Sequence, residues 1–356
     1  MKLASSPRVP PGITSIDKRR LDSKAMTAPG REYTVTEESP DSLSALWRDP
    51  GTGLRWECLF VIPVWLEAWW SVFGTGWTRH ICSVRRGEDL LGIAPLMLRD
   101  QTAYLIGDSD VCDCLDFIVV PGRESEFFRT LLRHLQHQGI TRMHLHAQRP
   151  GSAVERHLLP SLECEGCPFS WEREDVTFEM DLPATWEEFL GQLSGKQRHE
   201  VKRKMRRVNE TGCVRVRKAH EERDIEDGLG TFFQLFRLSR EDKAAFLTSE
   251  REGFFREMAA ALSQARLLRL YVCEVGGRPA AAVMCFDYGA TRYLYNNGYD
   301  PRFRSLSVGI VSKLLTIKDG IDEGQMRYDF LRGNESYKRH LGGKLVSLHG
   351  LSVELR

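Results

Sequence analysis

The sequence predicts an α+β protein built from two similar halves. Two stretches, residues 79–107 and 267–300, each alternate apolar and polar residues as three short strands separated by turns. In both halves a helix and a further strand follow the three strands. Helices packed on mostly antiparallel strands are typical of the α+β class. The repeated order predicts two tandem domains, each with a mixed, mostly antiparallel sheet flanked by helices.

The length of the chain allows two domains, and its composition gives almost no net charge. Its 356 residues include 50 basic and 49 acidic side chains, so the overall charge indicates neither binding nor avoidance of nucleic acid. No segment approaches the roughly 18 to 20 apolar residues that cross a bilayer. Even the apolar patch at 59–73 contains Pro63 and Glu67. We therefore expect no membrane insertion.

The first residues and the cysteines indicate a cytoplasmic location. Residues 1–31 are rich in Ser, Pro, Lys and Arg and lack the continuous apolar segment of a signal peptide, so they are predicted to form a disordered tail. The nine cysteines are an odd number scattered along the chain. This distribution is typical of reduced thiols rather than of a secreted disulfide framework.

The first half is predicted to be a domain at residues 32–180. A helix begins at Pro63, since proline suits a first turn, and ends at Gly74. Its bulky residues recur at helical spacing over a broad face, which favours core packing over an aromatic wall for a ligand. These residues are Trp65, Leu66, Trp69, Trp70 and Phe73. Further predicted elements are a strand at Asp116–Val120, a helix at Glu124–Gln138, a strand at Arg142–His146 and a connector at 149–171.

The second half is predicted to be a domain at residues 181–356. Its first helix starts at Thr185, with Glu188 three residues later as a capping box. The next segment holds seven Lys or Arg between Lys196 and Arg207. Two interpretations stay open for it, a solvated helix face and a cationic surface for phosphates.

A short polar loop precedes the helix that follows the second set of strands. The start of a helix offers unpaired backbone N–H groups and a positive dipole end, which suit a pyrophosphate. The residues that we expect to bind it are Arg304, Ser305, Ser307, Val308 and Gly309.

The stretch after that helix brings an acid, a phenol and an amine close together in sequence. Residues 326–331 read as a buried strand that contains Asp329. Asn334 is then predicted to cap a helix whose first turn carries Tyr337 and Lys338. Asp329 and Lys338 could form a simple ion pair between the last elements, or they could belong to a catalytic site.

The second half resembles the GCN5-related N-acetyltransferase fold in the order of these elements. The phosphate loop of that fold usually reads Gln or Arg, two residues, Gly, one residue, then Gly or Ala. This chain keeps Arg304 and Gly309 and has Ser307 at the first Gly. The resemblance implies a coenzyme A thioester as the acyl donor, bound in the second domain.

Four segments together resemble the BioF2-like acetyltransferases, also labelled CelD/BcsL or cellulose-biosynthesis type, which are related to the Fem aminoacyl transferases. The segments are WLEAWWSVFG, LLGIAPLML, KQRHEVKRKMRRVNETG and RYDFLRGNESYKRHLGG. The resemblance covers residues 33–350 and implies two tandem acetyltransferase-like domains. Tyr337, Lys338 and Gly342 match the Phe-Lys or Tyr-Lys pair and following Gly of the Fem relatives, whose lysine helps to bind or polarise the reacting carbonyl.

The residues of the last segment suit acyl transfer, which needs a base, a charge for the oxyanion and an acid for the leaving thiolate. We assign Asp329 as the base, Lys338 as the oxyanion partner and Tyr337 as the acid. Glu335 is a rival base because its loop is the more exposed. Under this assignment Lys338→Ala lowers turnover without unfolding the protein.

No metal site is expected. Cys112 with Cys114 and Cys164 with Cys167 could share a zinc ion, but such pairs also arise by chance among nine cysteines. The paired histidines at 134 and 137 and at 144 and 146 have no evident carboxylate partner. The sequence contains no GxSxG, HExxH or GxxxxGK[ST] motif, which removes support for serine hydrolases, zincins and P-loop enzymes.

The sequence therefore favours an acyltransferase that moves an acyl group from acyl-CoA to an amine or hydroxyl acceptor, such as a sugar or polysaccharide precursor. One alternative is a Fem-like transferase that uses aminoacyl-tRNA, for which the basic segment would hold phosphates, although the long helical arm of such proteins is missing. A second is a non-catalytic acetyltransferase-like module in envelope polysaccharide assembly. We expect a small-molecule or glycan acceptor and no nucleic acid outside the tRNA alternative; no feature indicates the oligomeric state.

Overall fold

The computed structural model describes residues 32–210, 214–219 and 222–355. The predicted disordered tail at 1–31 lies outside the described residues. None of the described helices is both long enough and apolar enough to span a bilayer.

The first half consists of a strand, two helices, three hairpin-linked strands, and then a helix and a strand. Its elements are β1 (Tyr33–Glu37), α1 (Pro40–Arg48), α2 (Pro63–Phe73), β2 (Thr78–Arg86), β3 (Asp89–Arg99), β4 (Thr102–Leu105), β5 (Ile118–Val119), α3 (Glu124–His137) and β6 (Arg142–Gln148). The predicted connector is wrong, because a π-helical turn at Val154–Leu158, α4 (Leu159–Glu165) and the start of β7 (Phe169–Asp181) occupy it. The Pro and Gly residues that suggested a loop lie at the first turn and the C-cap of α4, where they fit a helix.

The second half repeats the order of three strands, helix and strand after a set of helices. Its elements are α5 (Trp186–Gln192), α6 (Gly195–Glu210), β8 (Val214–Ala219), α7 (Glu222–Ser239), α8 (Glu241–Phe246), α9 (Ser249–Gln264), β9 (Leu268–Val275), β10 (Arg278–Tyr288), β11 (Thr291–Tyr299), α10 (Val308–Asp322), β12 (Arg327–Arg332), α11 (Ser336–His340) and β13 (Lys344–Glu354). The predicted capping box of Thr185 and Glu188 is confirmed, with bonds of 3.2 Å in both directions. The predicted cap at Asn334 is wrong, since α11 has Glu335 at its N-cap.

One mixed sheet runs through both halves. Its strand order is β1-β2-β3-β4-β6-β13-β7-β12-β11-β10-β9-β8, with β5 beside β3. Neighbouring strands are antiparallel except for two parallel pairs, β4 with β6 and β11 with β12. The α+β class and the mixed, mostly antiparallel sheet predicted from the sequence are confirmed.

The two halves exchange their last strands at the centre of the sheet. β7, the last strand of the first half, pairs with β12 of the second half, and β13 at the end of the chain pairs with β6 of the first. β7 and β13 also pair with each other, with Leu351 opposite Trp171. The division into domains at residue 181 stays a prediction.

The aromatic face of α2 lies in the core that the two halves share. Trp65 is fully buried, and its ring meets Phe254, Phe286 and Tyr295 edge-on at centroid distances of 5.5 to 5.9 Å. Those three rings belong to the second half of the chain. The core interpretation of this helix is therefore confirmed.

Candidate active site

The two faces of β12 carry different parts of the candidate site. The hydroxyl of Tyr328 lies 2.7 Å from Thr316 Oγ1 on α10, and the ring of Phe330 lies 6.4 Å from that of Tyr337 on α11. Because side chains alternate along a strand, Asp329 points to the opposite face. The structure thus separates Asp329 from Tyr337.

Asp329 is held in an ion pair that spans the two halves of the chain. The carboxylate is 1% exposed; its Oδ2 accepts from Arg149 Nη1 at 2.5 Å, and its Oδ1 accepts from the Leu331 amide at 2.8 Å and Thr177 Oγ1 at 3.2 Å. Arg149 also contacts Glu179. Burial opposes the charge of Arg149, yet the neighbouring carboxylate of Asp329 keeps its pKa above the usual range. The Asp329 carboxylate is thus neutralised by a guanidinium.

Lys338 holds the turn that joins β12 to α11. Its ammonium is 1% exposed and donates to the carbonyls of Leu331 at 2.8 Å, Arg332 at 2.5 Å and Gly333 at 3.1 Å. Glu335 Oε2 lies 2.9 Å away, and although burial opposes it, the Lys338 ammonium lowers the pKa of Glu335. Lys338 therefore pairs with Glu335 and not with Asp329, and its three protons already have acceptors.

Tyr337 lines a groove between α6, α10 and α11. The groove has a volume of about 530 Å³. Burial raises the pKa of the Tyr337 phenol, so the hydroxyl keeps its proton at neutral pH. The other lining residues include Lys196, Gln197, Lys204, Ile310 and His340.

The predicted phosphate loop lies at the start of α10, at the edge of this groove. Residues Pro301–Leu306 form a 3-10 helix, and Ser307 then adopts the left-handed conformation with φ of 55°. The carbonyl of Ser307 accepts from the amides of Ile310 at 2.9 Å and Val311 at 3.0 Å. The amides of Val308 and Gly309 precede these and have no intrahelical acceptor. Arg304 and Ser305 are exposed at the same place.

Ser307 occupies a position that suits glycine, because an L-residue in the left-handed region is strained by about 1 kcal/mol. We expect Ser307→Gly to raise the free energy of unfolding by about 0.5 to 1 kcal/mol and to leave the loop in place. Urea denaturation followed by circular dichroism measures this change. A Ser307→Gly variant less stable than the wild type would show that the Ser307 side chain stabilises the loop in a way that its backbone angles do not reveal.

The basic helix α6 packs beside the loop with an apolar side and a charged side. Val201 and Val208 are buried, whereas Arg207 Nη1 donates to the carbonyl of Ser305 at 2.8 Å. Lys196 and Lys204 line the groove. One side of α6 is therefore packed and the other bears charged residues, of which Lys204 is paired with Glu200 at 2.5 Å. The interpretation of this side as a surface for phosphates stays a prediction.

Two lysines that the sequence analysis missed meet at one asparagine. Lys313 Nζ on α10 lies 2.9 Å from Asn297 Oδ1, and Lys243 Nζ on α8 lies 2.5 Å from the backbone carbonyl of Asn297. β11 and β12 pair only as far as Tyr293 opposite Asp329, so Asn297 lies where the two strands have parted. The sequence did contain an indication of Lys313, because a lysine is rarely buried and this one lies within the mostly apolar segment 308–317.

The cysteine pairs do not converge. The expectation that the paired histidines have no carboxylate partner is wrong for His146, whose Nδ1 lies 2.7 Å from Glu174 Oε1. Cys112 accepts from Trp65 Nε1 at 3.3 Å, whereas Cys114 lies 3.6 Å from Cys58, and Cys164 is exposed. Among the residues that the structure describes, no three or more His, Cys, Asp or Glu are grouped to hold a metal ion.

Residues 195–339, which include most of the groove lining and the predicted phosphate loop, match the family model described as an acetyltransferase (GNAT) domain. No curated protein matches the chain. Among solved structures, FemX has 13% identity and a TM-score of 0.63, covering 90% of this chain and 96% of FemX.

Two further solved structures share the architecture. A conserved protein of unknown function from Bacteroides thetaiotaomicron has 11% identity and a TM-score of 0.54, covering 91% of this chain and 100% of that one. L-PGS from Bacillus licheniformis has 11% identity and a TM-score of 0.50, covering 80% of this chain and 90% of that one. Likeness at such identities concerns the fold alone. The chain has a GNAT-like fold, and its residues 195–339 are similar to the acetyltransferase (GNAT) domain model.

Proposed function

We propose that this protein is an acyltransferase that moves an acyl group from a coenzyme A thioester to an amine or hydroxyl acceptor. The observation that carries the proposal is the start of α10, where the amides of Val308 and Gly309 have no intrahelical acceptor. They lie beside a groove that basic residues of α6 and the ring of Tyr337 line. A helix start with free amides and nearby cations suits a pyrophosphate.

The residues present fit coenzyme A on both its charged and its apolar parts. Val308 and Gly309 would hold the pyrophosphate through their amides, with Arg304, Ser305 and Ser307 around it. Tyr337 and Ile310 would contact the apolar arm in the groove. Coenzyme A would supply an activated carbonyl and a thiol leaving group.

We propose the catalytic roles that the sequence predicted, each under a condition set by the contacts that the residue already makes. Tyr337 keeps its proton and can donate it, which suits an acid. Lys338 could meet an oxyanion only by exchanging one of its three carbonyl contacts for the substrate oxygen. Asp329 and Glu335 could act as bases only by giving up the cations that they pair with.

The acceptor would bind on the opposite face of β12, in a cleft of about 280 Å³. Arg149, Ser152, Glu179 and Tyr293 line it together with Asp329. Such a polar lining suits a hydroxylated acceptor, in line with the resemblance to BioF2-like acetyltransferases and with a sugar or polysaccharide precursor. Under this proposal the domain at 32–180 shapes the acceptor cleft, and the domain at 181–356 binds the donor.

A thermal-shift series tests the donor. We expect acetyl-CoA or a longer acyl-CoA to raise the melting temperature of the full chain, since a ligand at 100 times its Kd stabilises the folded state by about 2.7 kcal/mol. Lys196→Met, in the groove, should reduce the shift, and Lys318→Met on the exposed side of α10 should not. tRNA in place of the thioester tests the Fem-like alternative.

Each outcome of the series bears on one function. A shift with tRNA and none with any coenzyme A thioester would favour the aminoacyl transferase. A shift with coenzyme A thioesters but no transfer to any sugar or amine would favour the non-catalytic module. Equal thermal shifts in the Lys196→Met and wild-type proteins would indicate that the donor binds outside this groove.

A further inference from the structure

Lys313 is a buried amine in the second turn of the helix that starts at the phosphate loop. It is 4% exposed, and its Nζ lies 2.7 Å from the carbonyl of Gly309 and 2.9 Å from Asn297 Oδ1. The ring centroid of Tyr337, which lines the donor groove, is 4.8 Å from the same nitrogen. The amine thus lies between the groove and the opening where β11 and β12 part.

The contacts of Lys313 match a neutral amine. A neutral amine has two N–H groups and one lone pair, and the two oxygen acceptors use both N–H groups. Among the described residues, no carboxylate lies within ion-pairing distance of Lys313, whereas Lys338 has Glu335 at 2.9 Å. Within residues 32–210, 214–219 and 222–355, no donor is hydrogen-bonded to the lone pair that a neutral Lys313 would have.

Burial and two neighbouring lysines act against a charge on Lys313, and together they outweigh Glu335, which favours it. Burial, followed by the charge of Lys243, lowers the pKa of Lys313 to about 7, and burial lowers that of Lys243 to about 8. A base whose pKa lies near the working pH is the most effective proton acceptor. The groups that face Lys313 from neighbouring elements are Lys243 on α8, Cys285 on β10, and Glu335, Tyr337 and Lys338 at α11.

The carboxylates near the site are less suited to this task. Asp329 has Arg149 at 2.5 Å, and Glu335 has Lys338 at 2.9 Å. Removing a proton from an acceptor would require either carboxylate to leave its cation. Lys313 needs no such rearrangement.

We infer that Lys313 is the proton acceptor of the acyl transfer, an inference that rests on the proposed function. As the acceptor nitrogen or oxygen bonds to the thioester carbonyl carbon, its proton moves to the lone pair of Lys313. As the carbon–sulfur bond breaks, Tyr337 donates its proton to the departing sulfur, and the phenolate then recovers a proton from Lys313, which returns to its neutral state. Lys243 acts through Lys313, since its charge adds to burial in lowering the pKa of the neighbouring amine.

The first test is the pH profile of kcat/KM for the wild type, Lys313→Arg and Lys313→Met, with Lys318→Met as the matched control on the same helix. We expect the wild type to lose activity below about pH 7 and the Lys313 variants to lose roughly 10²- to 10⁴-fold in kcat. The acyl-CoA thermal shift should persist in these variants. The Lys318→Met profile should equal that of the wild type.

A second measurement does not depend on turnover or on the stability of a methionine variant. Lysine side chains labelled with ¹³C at Cε report their own titration by NMR in the native full chain, and Lys313→Arg identifies the Lys313 signal by its loss. We expect a midpoint near pH 7, about three pH units below the value of about 10.4 of an ordinary lysine. A midpoint near that ordinary value would overturn the inference.

The remaining outcomes separate this inference from the proposed function. Wild-type turnover with full activity in Lys313→Met overturns the role of Lys313 alone. An acidic limb near about pH 4 that disappears in Asp329→Asn assigns the base to that carboxylate instead. Absence of both acyl-CoA binding and transfer in the wild type overturns the proposed function and this inference together.

Discussion

Replacement of Arg292 by methionine is expected to lower the free energy of unfolding by about 3 to 5 kcal/mol. Arg292 is fully buried, and its guanidinium donates to Asp287 at 2.8 Å, to Asp319 at 2.9 Å and to Glu323 at 2.6 Å. Methionine fills similar space but leaves these carboxylates without their shared cation. Denaturation in guanidinium chloride, followed by circular dichroism, measures the loss.

The stability that Arg292 provides should depend on pH in a defined direction. Although burial opposes it, hydrogen bonds from Lys218, Tyr271 and Arg292 lower the pKa of Asp319, and the charge of Arg292 lowers that of Glu323. Because the folded values lie below the unfolded ones, the stabilisation is present above the unfolded pKa and is lost as the pH falls through the folded one. The difference between wild type and Arg292→Met should therefore shrink below about pH 4.

Arg302→Met is the matched control for this prediction. Arg302 also pairs with an aspartate, Asp300, at 2.6 Å, but its side chain is 74% exposed. A guanidinium that lies in solvent contributes little, and the buried Asp300 carboxylate keeps its bond from the Arg302 amide at 2.9 Å, so this variant should lose less stability than Arg292→Met. Equal losses in the two variants would mean that burial does not set the contribution of the Arg292 network.

The order of elements could be predicted because each follows from local pattern. Alternation with a period of two marked β9, β10 and β11, and the Thr185 capping box marked the start of α5. The exchange of β7 and β13 could not be predicted in the same way. Periodicity within a strand indicates that the segment is a strand and which face is buried. It does not indicate which distant strand will pair with it.

The candidate site was predictable in part for the same reason. The start of α10 and the position of Tyr337 on α11 follow from local sequence, and the structure places both at one groove. The partner of Asp329 is Arg149, which lies 180 positions away, whereas the sequence analysis paired Asp329 with Lys338 in the same segment. Long-range ion pairs are set by the fold and not by spacing along the chain.

Lys338→Met is the second variant for which we expect a large effect, a loss of about 2 to 4 kcal/mol in the free energy of unfolding. The sequence suggested that removing this side chain lowers turnover without unfolding the protein. The structure adds a cost in stability, because the ammonium satisfies the carbonyls of residues 331–333 in a buried turn. Buried carbonyl oxygens that lose a charged hydrogen-bond donor lower the free energy of unfolding, because they are left without a partner. Urea denaturation of the variant, alongside its acyl-CoA thermal shift, measures both effects.

Arg339→Met separates this role from a general effect of charge on α11. Arg339 is the next residue and is exposed, with its guanidinium 5.1 Å from the ring centroid of Phe178, so its loss should change stability little. If Lys338→Met kept wild-type stability and lost only turnover, the carbonyl contacts would be dispensable and the oxyanion role of Lys338 would gain support. If it lost stability while binding acyl-CoA normally, Lys338 would serve chiefly to hold the turn that sets Tyr337 in the groove.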